Sequence, residues 1–209
     1  MYGKPLDYAG YFAAAPVIDP FRLLDATPSS DGGRAIVLTL AENAKGLNHA
    51  PVYLRGIGSA NRPISAYRMN VEDENTAAAE SSRMAFRMAG ITHKDVDACE
   101  LYDCFTYTVE ATLRDYGFFR REEVRGFLTA DRLGPGGAFP VNTSGGMLSE
   151  GYFMGLTPVA EAVMQLRGEC GDRQLGTVPG TKAPEIIVCS DNGGVFHSHA
   201  TLVLGREAK

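Results

Sequence analysis

Apolar positions along the chain follow two rhythms. Residues 34–40 (RAIVLTL), 52–57 (VYLRGI), 96–101 (VDACEL), 185–189 (EIIVC) and 200–204 (ATLVL) are short apolar runs, several rich in β-branched residues and bounded by turn residues, and they read as strands. Residues 76–88 are alanine-rich, with Met84 and Met88 one helical turn apart, and read as a packed helix stopped by Gly90. Residues 105–116 read as a helix closed by Gly117, and 121–128 as another. Over 156–167, Val159, Val163 and Leu166 fall on one face, and Pro158 sits in the first turn, where proline is tolerated. Short helices are expected at 21–24 and at 41–47, the second closed by Gly46, with a polar surface excursion over 59–75. Pro5, Pro16, Pro20 and Pro28 exclude a long helix from the first thirty residues. The alternation predicts an α/β fold in one domain over residues 1–209, a mixed sheet with helices on both faces.

The 209 residues are enough to bury a core without staples, and composition is that of an ordinary globular chain. A net charge of −5 argues against non-specific nucleic-acid binding. Cys99, Cys104, Cys170 and Cys189 form no C-x-x-C pair, so no zinc site is expected. His197 and His199 would share a strand face, but no third ligand is spaced to join them, so no metal is expected either. Without a leader pattern or an apolar run of membrane-spanning length, the expected setting is the cytoplasm, with reduced thiols and no membrane contact.

Two stretches carry candidate chemistry. Leu101-Tyr102-Asp103-Cys104-Phe105 lies where a strand ends and a helix begins, a place from which side chains enter sites; its plain alternative is a packing tyrosine with a satisfied hydroxyl. The glycine-dense stretch from Gly134 to Gly146 ends in Asn142-Thr143-Ser144-Gly145-Gly146. It lets a backbone approach a ligand closely, yet matches neither a P-loop nor G-x-G-x-x-G, and a surface loop is its plain alternative. Asp25, Asp31 and Asp191 beside turns read as caps and turn residues.

Taken in order, these segments resemble the C-terminal half of a thiolase-superfamily enzyme, in the sterol-carrier thiolase and lipid-transfer branch. Met1-Tyr2-Gly3-Lys4-Pro5-Leu6, Asp19-Pro20-Phe21-Arg22-Leu23-Leu24-Asp25 and Asp31-Gly32-Gly33 resemble the segment that leads into that half. Tyr102-Asp103-Cys104-Phe105 is similar to the family's His-Asp-Cys-Phe. Asn142-x-x-Gly145-Gly146 with Gly151-Tyr152-x-x-Gly155 is similar to its Asn-x-x-Gly-Gly and Gly-His-Pro-x-Gly pair, and Gln165-Leu166-Arg167-Gly168-Glu169 resembles its closing helix. The resemblance implies the thiolase C-terminal α/β domain, with a mixed five-stranded sheet. It implies an acyl-CoA thioester substrate, no cofactor beyond CoA within that substrate, and a dimeric core.

The departures narrow the activity. Tyr102 stands where the family has His or Asn, Tyr152 and Phe153 replace His-Pro, and the last loop reads Ser190-Asp191-Asn192-Gly193-Gly194 without its cysteine. The nucleophile-bearing N-terminal half is not in this sequence. This pattern resembles the thiolase-like steroid side-chain aldolases, which cleave a β-hydroxyacyl-CoA by a retro-aldol step and work with a small OB-fold and zinc-ribbon partner. That resemblance implies Tyr102 and Tyr152 as the acid/base pair, and Asn142 with the Gly193 and Gly194 backbone as the oxyanion site. Asp103 is expected to support the turn, and His197 and His199 to stand behind the site. Two alternatives stay open: an acyltransferase half completed by an N-terminal partner, and a non-catalytic lipid- or acyl-CoA-binding domain.

Overall fold

The computed structural model describes residues 5–44, 46–62, 76–194 and 196–208. In chain order the elements are α1 (Tyr8–Ala13), a small antiparallel pair β1 (Pro16–Ile18) and β2 (Phe21–Arg22), a 3-10 turn Leu23–Asp25, β3 (Tyr53–Asn61), α2 (Ala77–Ala89) and β4 (Ala98–Glu100). There follow α3 (Thr106–Asp115), the short helices α4 (Val124–Phe127), α5 (Ala130–Leu133) and α6 (Gly146–Ser149), then α7 (Leu156–Arg167), β5 (Ile186–Gly193) and β6 (Ser198–Gly205). The main sheet runs β3-β6-β5-β4, antiparallel except for the parallel β4–β5 pair.

The sheet's alternation makes two cores. Val188 and Val203 join Cys99 and Leu101 in one cluster with Ala78 and Ala85 of α2 and Leu113 of α3. Ile187, Cys189 and Leu204 join Ala98 in the other, with Ala162 and Leu166 of α7. Helices thus cover both faces of a mixed sheet, as expected, and period two along β5 decides which side chain serves which core. Val159 and Val163 pack at the margin of the second cluster as the helical pattern predicted.

α2 begins at Thr76, whose hydroxyl accepts the Ala78 N–H at 3.1 Å, and ends at Gly90 in the left-handed region (φ 67°). Its packing, however, is not made by methionine. Met84 and Met88 are 41% and 59% exposed, and the buried side is Ala77, Ala78, Ser81, Ser82, Ala85 and Ala89. The reason lies on β3. A Cβ at Gly56 or Gly58 would overlap the Ala85 or Ser81 carbonyl oxygen, so helix and strand meet backbone to backbone with no room for a long side chain.

Other expectations change. Residues 34–40 are not a fifth strand: no described ladder includes them, and Val37 and Leu38 are 93% and 82% exposed. β propensity measures a fit to neighbours, and here the neighbours are absent. The segment instead passes the loop after α6, where Arg34 pairs with Glu150 and lies 5.1 Å over the Phe153 ring. Residues 41–44 make hydrogen-bonded turns rather than a helix, with the Asn43 and Ala44 N–H groups both donating to Leu40 O. Residues 21–24 split between β2 and a 3-10 turn. The surface excursion gives up Ser59, Ala60 and Asn61 to β3, and most of its remainder, 63–75, lies outside the described residues, as do Met1 to Lys4. Ser190 to Gly193, expected as a loop, continue β5 because they pair with Thr201 to Ser198 of β6.

The backbone contact of α2 on β3 gives a test. Gly58→Ala is expected to lower unfolding stability by about 1–3 kcal/mol, the cost of overpacking a closed contact, read as the shift of a urea midpoint against wild type. Met88→Ala, on the exposed side of the same helix, should move it by less than about 1 kcal/mol.

Candidate active site

β4 stops at Glu100 because its neighbour on one side stops supplying backbone. Along that side, the Cys99 N–H donates to Pro140 O (3.1 Å) and the Asn142 N–H donates to Cys99 O (2.9 Å). The Asn142 side chain then takes over. Its Oδ1 accepts the Leu101 N–H at 2.6 Å, and its Nδ2 donates to Leu101 O at 3.1 Å. The same amide lies beside the Asp103 carboxylate and favours its charged form. Asn142 sits at φ 53°, a conformation its short polar side chain tolerates. Through its two bonds to Leu101, Asn142 holds the strand end.

Asp103 is buried and ties the next stretch. Its Oδ1 accepts the Met147 N–H at 2.8 Å, with the Leu148 N–H near Oδ2 at 3.5 Å, so it closes the start of α6. Its carboxyl is pushed up to about 6 by burial, against those same bonds, which lower it. A Cβ at Gly146 (φ 62°) would overlap that carboxylate, which explains glycine at this position.

Between these anchors stands Tyr102. Its N–H donates to Ser190 Oγ at 3.0 Å, and its carbonyl accepts from Thr108 Oγ1 at 3.0 Å, so β5 and α3 both fix its backbone. Its hydroxyl lies 2.6 Å from the Tyr152 hydroxyl, the rings meeting edge to face at 6.1 Å. Tyr152 is held from α7: Thr157 Oγ1 donates to Gly151 O and accepts the Phe153 N–H, both at 3.2 Å. Tyr102 is 6% exposed and Tyr152 half-buried. Burial drives the Tyr102 phenol well above its ordinary value, and its hydrogen bond to Tyr152 drives it further, so Tyr102 keeps its proton, while either hydroxyl can donate in the contact.

The structure brings together the two tyrosines, fifty positions apart in sequence. It adds Asp191, which sequence reading left as a turn residue. Asp191 lies on β5, on the same side as Cys189, where a Cβ on Gly155 would overlap its carboxyl. The residue is exposed at the rim, yet its carboxyl is pushed up by partial burial, and its charge opposes ionisation of Tyr102. The signal that would have found it is strand period, legible once 186–193 is read as one strand. Gly193 ends β5 opposite Ser198, and Gly194 (φ 59°) opens the hairpin turn, with Val195 outside the described residues.

The cysteines are poor nucleophiles here. Cys99 and Cys189 are buried in the two cores with thiols driven far up by burial, and burial pushes the half-buried Cys104 thiol up to about 11. His197 lies in the turn, whereas His199 is buried beside Ser81 (2.9 Å) and Tyr116, its imidazole pushed down to about 4 by burial. Among the described residues no three His, Cys, Asp or Glu side chains gather as a metal site would need. Below the 142–146 loop lie Glu100, Glu161, Gln165 and Arg173, which sequence reading also passed over.

Comparison with known proteins accords with this architecture. The family described as thiolase C-terminal domain-like matches residues 58–206, and the chain belongs to it. An acetyl-CoA acetyltransferase of Methanothermobacter thermautotrophicus is 36% identical over 91% of this chain and 49% of its own length. The 17-hydroxy-3-oxo-4-pregnene-20-carboxyl-CoA lyase of Mycobacterium tuberculosis is 34% identical over 80% of this chain and 44% of its own length. The chain thus spans about half the length of the curated relatives it matches. Among solved structures, the Ltp2-ChsH2(DUF35) aldolase superposes over 100% of this chain and 53% of its own, with a TM-score of 0.86 at 29% identity.

The buried phenol gives a second test. In a spectrophotometric titration at the phenolate band, wild type and Tyr102→Phe should superimpose up to about pH 10.5, past the free phenol value of about 10. A component that ionises at or below neutral pH and is lost in Tyr102→Phe contradicts a Tyr102 that keeps its proton.

Proposed function

We propose that this chain is the tyrosine-bearing half of an acyl-CoA carbon–carbon lyase that cleaves a β-hydroxyacyl-CoA, of steroid side-chain type, by a retro-aldol step. The observation that carries the reading is the 2.6 Å contact between the Tyr102 and Tyr152 hydroxyls. Support comes also from the lyase and aldolase among its relatives.

The reaction needs a base for the β-hydroxyl proton, a donor for the enolate and a proton for its carbon. In this reading the buried Tyr102, which keeps its proton, gives the hydrogen bond, and the more open Tyr152 oxygen faces the substrate. Tyr152, acting as the phenolate, takes the β-hydroxyl proton and becomes the phenol. The bond between Cα and Cβ breaks, a ketone or aldehyde leaves, and the thioester enolate remains. The phenol pair then returns that proton to Cα, so no other reactant is consumed. The backbone at Gly193 and Gly194, with the Asn142 amide hydrogen that does not go to Leu101, supplies the oxyanion donors in this reading. The work is done within a dimer completed by a thiolase-type N-terminal half, with an OB-fold and zinc-ribbon partner, in the cytoplasm.

Acyl transfer is the second reading, favoured by the acetyltransferase relative. It requires a cysteine nucleophile and a second, acid/base cysteine. The buried, raised thiols of Cys99 and Cys189 and the raised Cys104 thiol weigh against this chain supplying either.

The test starts from the protein's own cell extract. Recovered by pull-down, the chain should carry an N-terminal thiolase half, and the complex should release an acyl-CoA and a carbonyl product from a β-hydroxyacyl-CoA. Tyr102→Phe or Tyr152→Phe should lower kcat by about 10²–10⁴-fold, the usual weight of a positioned acid or base, with acyl-CoA binding retained. Recovery without partner and without cleavage removes the lyase reading.

A further inference from the structure

Proton accounting at Thr143 reaches beyond the tyrosine pair. Thr143 Oγ1 lies 2.7 Å from Glu100 Oε1 and 2.8 Å from Glu161 Oε1, and it accepts from Gln165 Nε2 at 3.1 Å. A hydroxyl has one proton to give. Between two ionised carboxylates, one of those short contacts would set lone pair against lone pair. Arg173 decides which partner is the anion: its Nε donates to Glu161 Oε1 at 3.0 Å and its Nη2 to Oε2 at 2.9 Å. Thr143 therefore donates to Glu161, and the proton in the Thr143–Glu100 contact belongs to Glu100.

We propose that Glu100 is a positioning residue that carries a proton and gives it, in a hydrogen bond, to Thr143, clamping the 142–146 loop beneath the tyrosine site. Glu100 lies two positions before Tyr102, and Thr143 follows Asn142 directly, so the clamp joins the segment bearing Tyr102 to the loop whose Asn142 and Gly146 meet Asp103. The Thr143 N–H also donates to Glu100 Oε1, at 3.2 Å. Both glutamates are nearly sealed from water, at 1% and 3% exposure. The ionisable groups facing Glu100 are Glu161 on α7, Asp103 beyond β4, Cys99 on β4, Cys189 on β5, and Cys170 and Arg173 after α7. Among these Arg173 is the lone cation, and its bonds go to Glu161. In agreement, burial first and Glu161 second push the Glu100 carboxyl up to about 8.

The sign of the pH effect follows. The folded chain holds a proton that the unfolded chain releases near 4.5, so this contribution is fully present below that pH and is lost as pH rises through about 8. The test compares wild type with Glu100→Gln, whose amide still donates to Thr143 but does not titrate, and with Thr143→Val. Carbon-13 titration of the Glu carboxyls should show one ionising near pH 8 in wild type, missing in Glu100→Gln. The wild-type melting temperature should fall relative to Glu100→Gln between about pH 5 and 8. The Met147 amide should stay protected from exchange in Glu100→Gln and lose protection in Thr143→Val. A Glu100 carboxyl already ionised at about pH 6, or identical pH dependence in the two proteins, overturns the proposal. Should Glu100→Gln fail to fold, the wild-type titration, assigned by selective labelling, still decides. The alkaline limb of a cleavage profile, expected to shift in Glu100→Gln, is the one readout that rests on the lyase reading. Absence of cleavage would sink that reading and leave the carboxyl titration standing.

Discussion

The site depends on one side chain that imitates a peptide. Residues 140–142 run beside β4 as a short parallel ladder, and where the backbone turns away at Asn142 its amide adds one more rung to Leu101. A primary amide offers the same donor and acceptor as a peptide group, so the strand end stays satisfied while the chain is free to turn. Without that rung the Leu101 peptide would be left unpaired in the interior, at a cost of about 1–3 kcal/mol per group. Tyr102 follows directly, and the positions of its ring and of the loop from Asn142 to Gly146 are set together.

Around this joint the two faces of the sheet are built differently. On the α2 face, small residues and two strand glycines bring backbones close, and polar groups are satisfied in a chain: Tyr116 Oη lies 2.7 Å from Thr201 Oγ1, itself 2.8 Å from Ser81 Oγ. On the α7 face the apolar cluster stops short of the loop and gives way to buried charge. Glu161 is tolerated there because Arg173, Gln165 and Thr143 bond it, whereas Glu100 has no cation of its own and stays neutral. Each face contributes one tyrosine anchor, Ser190 on the first and Thr157 on the second, so the pair meets only when both faces are packed.

The same logic explains the chemistry available. Two tyrosine hydroxyls at 2.6 Å, one ring buried and one half-buried, stand where a proton can pass from one oxygen to the other. Buried thiols that resist ionisation make Cys99 and Cys189 of this chain poor nucleophiles.

Much of this was legible in the chain. Helix α2 announces its own ends through Thr76 and Gly90, the strands at 53, 98, 186 and 198 through β-branched and apolar runs, and the Tyr102 segment through its place between a strand and a helix, whereas Tyr152 is marked only by the family resemblance. These are local signals, set by period, capping and backbone freedom. Tertiary structure alone decided that residues 34–40 stay out of the described sheet, that β5 runs on to Gly193, that the Asn142 side chain bonds Leu101, and that the Asp191 carboxyl meets Gly155. It also decided which of two buried glutamates keeps its charge. Each of those outcomes is a contact between positions far apart in sequence, and a side chain's partner, charge state and exposure are properties of that meeting rather than of the residue.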